Sequence, residues 1–336
     1  MGPALPRGLL PRLPLEPERA VFRRAGRVVK DGGIRISVIV PVRDDPRVED
    51  LLATLSSQAA APAHEVLVAL DGSRRRPLLP ENVPARLLDL PARGPYSARN
   101  AAVRQARGEV LLFTDSDCLC PPDWLARAAR PFEDGSLAAL QGSSVSNGGS
   151  RLSRQVQREY ERYVASYGAR PFCNLRNFAI RAEIVRALPL PDRFPRGGDG
   201  VYGRWLSERG LPIEYDPEWR IEHRPPVSLW SEAARAYQEG FFGALWQKSE
   251  GIDLFGPIGS GPGASLLRAT EGSSAARRIA SALLLPLAAV FAAGGAVLPG
   301  ALGASAFERF RRSTHLAGRL GGYAREAEHL ALETDP

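Results

Sequence analysis

The sequence predicts an α/β fold: an open, mostly parallel β-sheet flanked by helices, followed by a helical, apolar C-terminal segment. Three observations carry this. Continuously apolar, β-branched segments alternate with segments of helical periodicity between residues 34 and 117. Three of the strand-like segments end in acidic residues. From Ile279 to Ala304 no residue is charged.

The elements follow in chain order. Residues 1–33 read as an irregular arm, with a short strand near Arg27–Val29. "IRISVIVPV" (34–42) has the unbroken apolar character of a buried parallel strand, and Pro41 ends it. Residues 46–58 space Val48, Leu51, Leu52 and Leu55 along one helical face. "HEVLVALDGS" (64–73) is a second buried strand running into an Asp-Gly turn. "ARLLDL" (85–90) is a short third strand, residues 95–106 a helix, and "GEVLLFTDSD" (108–117) the next strand. Crossovers of helical length between strands imply right-handed connections. Past Pro121 the alternation loosens. A helix (123–132), a strand (137–146) and a long amphipathic helix (151–168) lead to a strand and helix within 174–188. A Gly-rich turn opens a helix within 194–210. Residues 211–226 read as a strand pair or a strand and loop, and 229–248 as an aromatic-rich helix. The segments group as an arm (1–33), a main domain (34–230) and a C-terminal helical region (231–336).

The 336 residues, 44% of them hydrophobic, suffice for one large or two modest cores. The formal charge is +7, and Lys30 and Lys248 are the only lysines. Such an arginine bias reads mainly as base composition. Its functional readings are an anionic substrate or an anionic membrane surface. Zinc-finger spacing, a basic heptad helix and an aromatic RNA-binding signature are all missing, which argues against nucleic acid as a partner. The three cysteines, Cys118, Cys120 and Cys173, are too few for a disulfide framework and fit a reducing compartment. Cys118 and Cys120 read as small buried side chains rather than a metal clamp. Residues 1–30 lack the apolar stretch of a secretory signal. Segment 279–304 is long enough to span a bilayer, but it is Ala- and Gly-rich and contains Pro286 and Pro299. Arginines on both flanks suit a hairpin or an in-plane segment on an anionic leaflet as well as a single pass. A buried helix pair is the alternative.

The acids are the chemical signal. Asp44 and Asp45, then Asp71, then Asp115 and Asp117 follow successive strands. Ligands of open α/β sheets bind outside the carboxyl ends of strands, so these groups converge on one crevice. Asp115 and Asp117, two apart, repel each other unless a cation intervenes; an Asx-type turn is the competing explanation. There is no G-x-G-x-x-G after the first strand and no P-loop.

Taken together, "ISVIVPVRDD", "EVLVALDGS", "GPYSARNAA", "GEVLLFTDSDCLCPPDWL" and "RGGDGVYGRWLSERG" resemble, in order, the motif series of family-2 glycosyltransferases with the GT-A nucleotide-sugar-binding fold. The resemblance covers roughly residues 34–230. It implies an inverting transferase that takes a nucleotide-diphosphate sugar donor and a glycan or lipid-linked acceptor at the cytoplasmic face of the membrane. It implies Mn²⁺ or Mg²⁺ at Asp115 and Asp117, with Asp117 the direct ligand and Asp115 nearer the ribose or sugar, and His223 near the metal or the acceptor loop. A structural role for His223 stands beside that. Pro41, Asp44 and Asp45 match the loop that walls the base, Asp71 the acid that reads base and ribose, and Arg99 and Asn100 the start of a phosphate-facing helix. Arg99 is otherwise a surface helix arginine. Asp199 matches the general base, with a helix N-cap as the alternative. Three departures stand out: Arg43-Asp44 replaces a common Tyr-Asn, Leu70 replaces an Asp, and Gly198 replaces a Glu. Trp219 and Trp230 are core residues or acceptor-groove walls. Two other readings are a nucleotidyltransferase and a non-catalytic nucleotide- or glycan-binding relative.

Overall fold

The computed structural model describes residues 35–133, 135–146, 150–167, 173–225, 228–252, 254, 262–271, 273–297 and 300–324. The expected arm and its strand near Arg27 lie outside them.

Strands β1 (Ile36–Val42), β2 (His64–Asp71), β3 (Ala85–Leu90) and β4 (Val110–Thr114) are parallel neighbours. Helices α1 (Val48–Ser56) and α2 (Pro95–Gln105) connect them. The apolar run of β1 is buried because both of its faces are covered. Val38 and Val40 pack with Leu51, Leu52 and Leu55 of α1. Ile39 packs on the other side with Ala98, Ala102 and Val103 of α2.

The second half is mixed rather than parallel. It comprises β5 (Cys118–Leu119), α3 (Trp124–Ala129), β6 (Ala139–Val145), α4 (Arg151–Tyr167), β7 (Asn177–Arg181), α5 (Ala182–Ala187), α6 (Gly198–Glu208) and β8 (Ile213–His223). The strand order is β3-β2-β1-β4-β7-β6-β8-β5. β7 runs antiparallel to β4 and to β6, and β8 is parallel to β6. Residues 213–223 form one strand, not a pair. A register shift at Gly142/Ser143 bends β6 against it. Asn177 locks this bend: its amide donates to Ser143 O and Trp219 O, both at 2.9 Å, and accepts from Trp124 Nε1 at 2.9 Å. Trp219 is fully buried and stacks on Trp124 at 5.7 Å, whereas Trp230 is 82% exposed.

The chain leaves β1 toward β2 and β3, then returns to β4 on the other side of β1. That reversal splits the carboxyl ends of β1 and β4, and a crevice opens where strand order reverses.

Among the described residues four C-terminal helices follow: α7 (Leu229–Glu250), α8 (Pro262–Ala269), α9 (Ser274–Val297) and α10 (Gly300–Ala324). The uncharged stretch is therefore split between α9 and the start of α10. Pro286 lies inside α9 rather than ending it; contacts with α10, including Ser281 Oγ donating to Ala317 O at 2.7 Å, run along the same helix. The window Ser274–Phe291 is long and apolar enough to cross a membrane by composition, and only 11% of it is buried. Ile279, Leu283 and Val290 are each more than 60% exposed.

Candidate active site

A cavity of about 1650 Å³ lies over the β1/β4 crevice and continues between the C-terminal helices. Of the residues expected at the site, Pro41, Asp71, Arg99, Asp115, Asp117 and Asp199 line it. Asp44, Asp45, Asn100 and His223 are not among its lining residues.

The turn after β4 is held from outside. Asp45 accepts from the Arg47 guanidinium at 2.9 Å and from Ser116 Oγ at 2.7 Å, so it clamps the residue between Asp115 and Asp117. Asp115 forms a close ion pair with Arg99 and faces Arg176 Nε at 3.8 Å. Asp117 faces His223 Nε2 at 3.2 Å and Arg47 at 3.5 Å. His223 reaches it because β5 and β8 place Cys118 and His223 in register. Neither carboxylate accepts a backbone N–H among the described residues, so the turn is not capped by its own acids. Burial alone raises the Asp117 pKa, but the His223 hydrogen bond and the charges of His223, Arg176 and Arg47 bring it down to about 2. Burial and Arg176 lower the His223 pKa despite Asp117. An ionised carboxylate beside a neutral imidazole is the protonation state a metal ligand pair needs. The donor set fits a divalent cation that takes its other ligands from water and phosphate. Among the described residues no group of three or more His, Cys, Asp or Glu side chains could hold a metal alone.

Asp71, 4% exposed, accepts from Arg93 N at 2.8 Å and Gly94 N at 3.0 Å and so shapes the turn into α2. Leu70 is 1% exposed and points into the core, where a carboxylate would be buried without water. Asp44, at φ 52°, accepts from Arg74 N and Arg75 N at 2.7 and 2.9 Å, joining the loops after β1 and β2. These two bonds hold its pKa below the ordinary value. Asn100 pairs with the Leu190 backbone in both directions, at 2.8 and 3.0 Å, and braces the segment before α6. Arg99 is 5% exposed rather than a surface arginine. Its Nε and that of Arg176 are buried without hydrogen-bond partners among the described residues.

Across the cavity, Gly197 at φ 82° is the N-cap of α6, so Asp199 lies inside the first turn and is not the cap. Its carboxylate accepts from Gly200 N at 3.0 Å and meets Tyr96 Oη at 3.3 Å. Part of Asp199 reaches the cavity while protein atoms crowd its carboxyl. That burial pushes its pKa up, against the pull of Gly200 N–H, Arg99 and Tyr96. The three thiols are free and buried, and burial raises their pKa values, which leaves them chemically quiet.

Three residues escaped sequence reasoning. Arg176 and Tyr96 line the cavity, and Arg47 touches Asp45 and Asp117. The short run "GPYSARN" held a signal for Tyr96; Arg47 and Arg176 carried none.

The sheet order and the strand-end acids define a GT-A fold. Over 94% of this chain and 95% of the other, the fold matches a mannosyltransferase, PcManGT from Pyrobaculum calidifontis, in complex with GDP-Man and Mn²⁺, with a TM-score of 0.53 and 20% identity. Residues 37–189 match the model of glycosyl transferase family 2. The chain is 30% identical over 122 residues to an N-acetylglucosaminyltransferase of Bradyrhizobium elkanii, covering 33% of this chain and 67% of that protein. It is 26% identical over 195 residues to glycosyltransferase AglE of Haloferax volcanii, covering 54% of this chain and 64% of AglE, less than two thirds of that relative's length. The chain belongs to the family-2 glycosyltransferases.

Proposed function

We propose that the protein is an inverting, divalent-metal-dependent glycosyltransferase that moves a sugar from a nucleotide-diphosphate donor to a hydroxyl of a glycan or lipid-linked acceptor. The observation that carries this is the facing arrangement in one cavity. Asp71, Asp115 and Asp117 lie at strand ends, and Asp199 lies across from them on α6.

Asp117 and His223 would hold Mn²⁺ or Mg²⁺. Such an ion would supply charge to offset that developing on the departing nucleoside diphosphate. Arg99 and Arg176, each with a buried Nε that makes no hydrogen bond among the described residues, offer donors to the same phosphates. Asp115, held between them, faces the ribose or sugar. Asp44 and Asp45 shape the base-side wall with Pro41, and Asp71 frames it from the turn. The acceptor hydroxyl attacks the anomeric carbon opposite the diphosphate. A C–O bond forms, the sugar–phosphate C–O bond breaks with its electron pair on the diphosphate oxygen, and Asp199 receives the hydroxyl proton. A base with a raised pKa holds that proton better than an ordinary carboxylate.

Beyond Asp199 the cavity runs between α4, α7, α9 and α10, with Arg235, Arg309 and Arg319 beside Leu284, Leu287 and Phe291. An amphiphilic acceptor suits such a wall. The exposed apolar face of α9 with Arg277 and Arg278 at its start supports docking on an anionic leaflet, taken here as the cytoplasmic one.

Titration calorimetry with UDP, GDP and dTDP, with and without Mn²⁺, tests the reading. Metal-dependent binding of one nucleotide, lost in Asp117→Ala, is expected. A folded protein that binds none of the three with metal present would overturn it.

A further inference from the structure

We propose that Tyr96 is a positioning residue for the Asp199 base, and that residue 198 is glycine because the Tyr96 ring and the Pro191 carbonyl together occupy the space a side chain there would need. The inference rests on Asp199 being the base.

The ring of Tyr96 is only 7% exposed, and a buried phenol has to find polar partners. Both of its partners belong to one residue. Tyr96 Oη donates to Asp199 Oδ1 at 3.3 Å and accepts from Asp199 N at 3.3 Å. Together with Gly200 N–H on Oδ1, this fixes the rotation of the carboxylate and leaves Oδ2 without a hydrogen bond among the described residues. A ring needed for packing alone would be served by phenylalanine.

The neighbouring glycine fits the same logic. A Cβ at residue 198 would stand 2.9 Å from Tyr96 Cζ and 2.7 Å from the Pro191 carbonyl oxygen. The Pro191 segment cannot easily retreat, because Asn100 holds Leu190 through two hydrogen bonds. The ring of Tyr96 and the Pro191 carbonyl therefore leave no room for the larger residue that the family resemblance anticipates at 198. Tyr96 and Arg99 are also one helical turn apart on α2. One end of that turn holds the acid on the acceptor side, and the other pairs with Asp115 on the donor side. α2 thereby sets the distance between the two halves of the site.

The groups facing Asp199 are Tyr96 and Arg99 from α2, Asp115 from the β4 end, Tyr160 from α4, and Cys173. Removing the Tyr96 hydroxyl deletes a donor to the carboxylate, so the Asp199 pKa rises further.

The test is Tyr96→Phe in the full chain, with two readouts. The first is the pH dependence of hydrolysis of UDP-glucose, UDP-N-acetylglucosamine and GDP-mannose with Mn²⁺ and water as acceptor. The second is carboxyl ¹³C NMR of protein labelled at aspartate, with the Asp199 signal assigned from Asp199→Asn. Expected are a kcat about three- to tenfold lower, an unchanged donor KM, an acid limb displaced to higher pH, and an Asp199 titration that moves the same way. An unmoved titration and an unchanged pH profile would make Tyr96 a packing residue and overturn the inference. The NMR readout needs no turnover. A wild type that hydrolyses no donor and binds no nucleotide would sink the transferase reading separately.

Discussion

The strand-end half of the cavity and the α6 half treat carboxylates in opposite ways. At the strand ends each acid is partnered. Asp45 has Arg47 and Ser116, Asp115 has Arg99 and Arg176, and Asp117 has His223 and Arg47. The pKa values of Asp45 and Asp117 fall below the ordinary range even though burial acts against this. Across the cavity, Asp199 has only a phenol and a backbone N–H as direct partners among the described residues, and burial wins. One fold thus lowers the pKa values of Asp45 and Asp117 and raises that of Asp199, the split that the proposed roles of cation binding and proton acceptance need. Titratable groups pushed apart by their surroundings mark a division of chemical roles.

The comparison can be broken from either side. The largest effect is expected on the α6 side. Asp199→Asn removes the proposed base, so sugar transfer should fall about 10²–10⁴-fold, the usual contribution of general-base help. Nucleotide affinity should stay within about twofold, because nothing on the strand-end side has changed. Coupled transfer assays and calorimetry on the same preparation check both. A smaller effect is expected from Asp45→Ala. It releases Ser116 and frees Arg47, which then competes for Asp117. Metal-dependent nucleotide affinity should weaken about tenfold, an amount typical of one lost charge-assisted hydrogen bond. The acid limb of the pH–rate profile should not move, since Asp45 is absent from the groups that set the Asp199 pKa. A displaced limb would mean that Asp45 acts on Asp199 through the strand-end groups, and the division fails.

What the sequence made legible follows the same division. The parallel half was readable because buried strands repeat one pattern: an apolar run, a turn, a helix of crossover length. The acids could be placed because they sit at the ends of those runs. The second half was harder. β5 and β7 are short and run against their neighbours, and the bend at Gly142 depends on Asn177, which is distant in sequence and gives no local signal. Asn100 shows a limit of motifs. Its place in the "ARN" motif suggests phosphate contact, yet it lies mid-helix in α2, bonds the Leu190 backbone and is not in the cavity lining. The link between Tyr96 and Asp199 spans 103 residues and exists only once α2 and α6 are packed together. The uncharged stretch 279–304 is visible as composition and a hairpin or helix pair is among its readings, but its apolar pattern does not say which proline ends the first helix, and α9 runs through Pro286.

The most direct measurement of the central claim is thermal unfolding of Asp117→Asn and Asp199→Asn, each against wild type, from acid to neutral pH. The Asp117 pKa is lowered, so its charge stabilises the fold above the ordinary carboxylate pKa, and that stability is lost as pH falls from about 4 toward 2. The Asp199 pKa is raised, so the folded state holds its proton more tightly than the unfolded chain does; that stability is present at low pH and lost as pH rises through the folded pKa. At neutral pH, Asp117→Asn should therefore destabilise by about 1–2 kcal/mol, while Asp199→Asn should be stabilising. Both effects should shrink in acid. Shifts of the same sign at neutral pH would contradict the account.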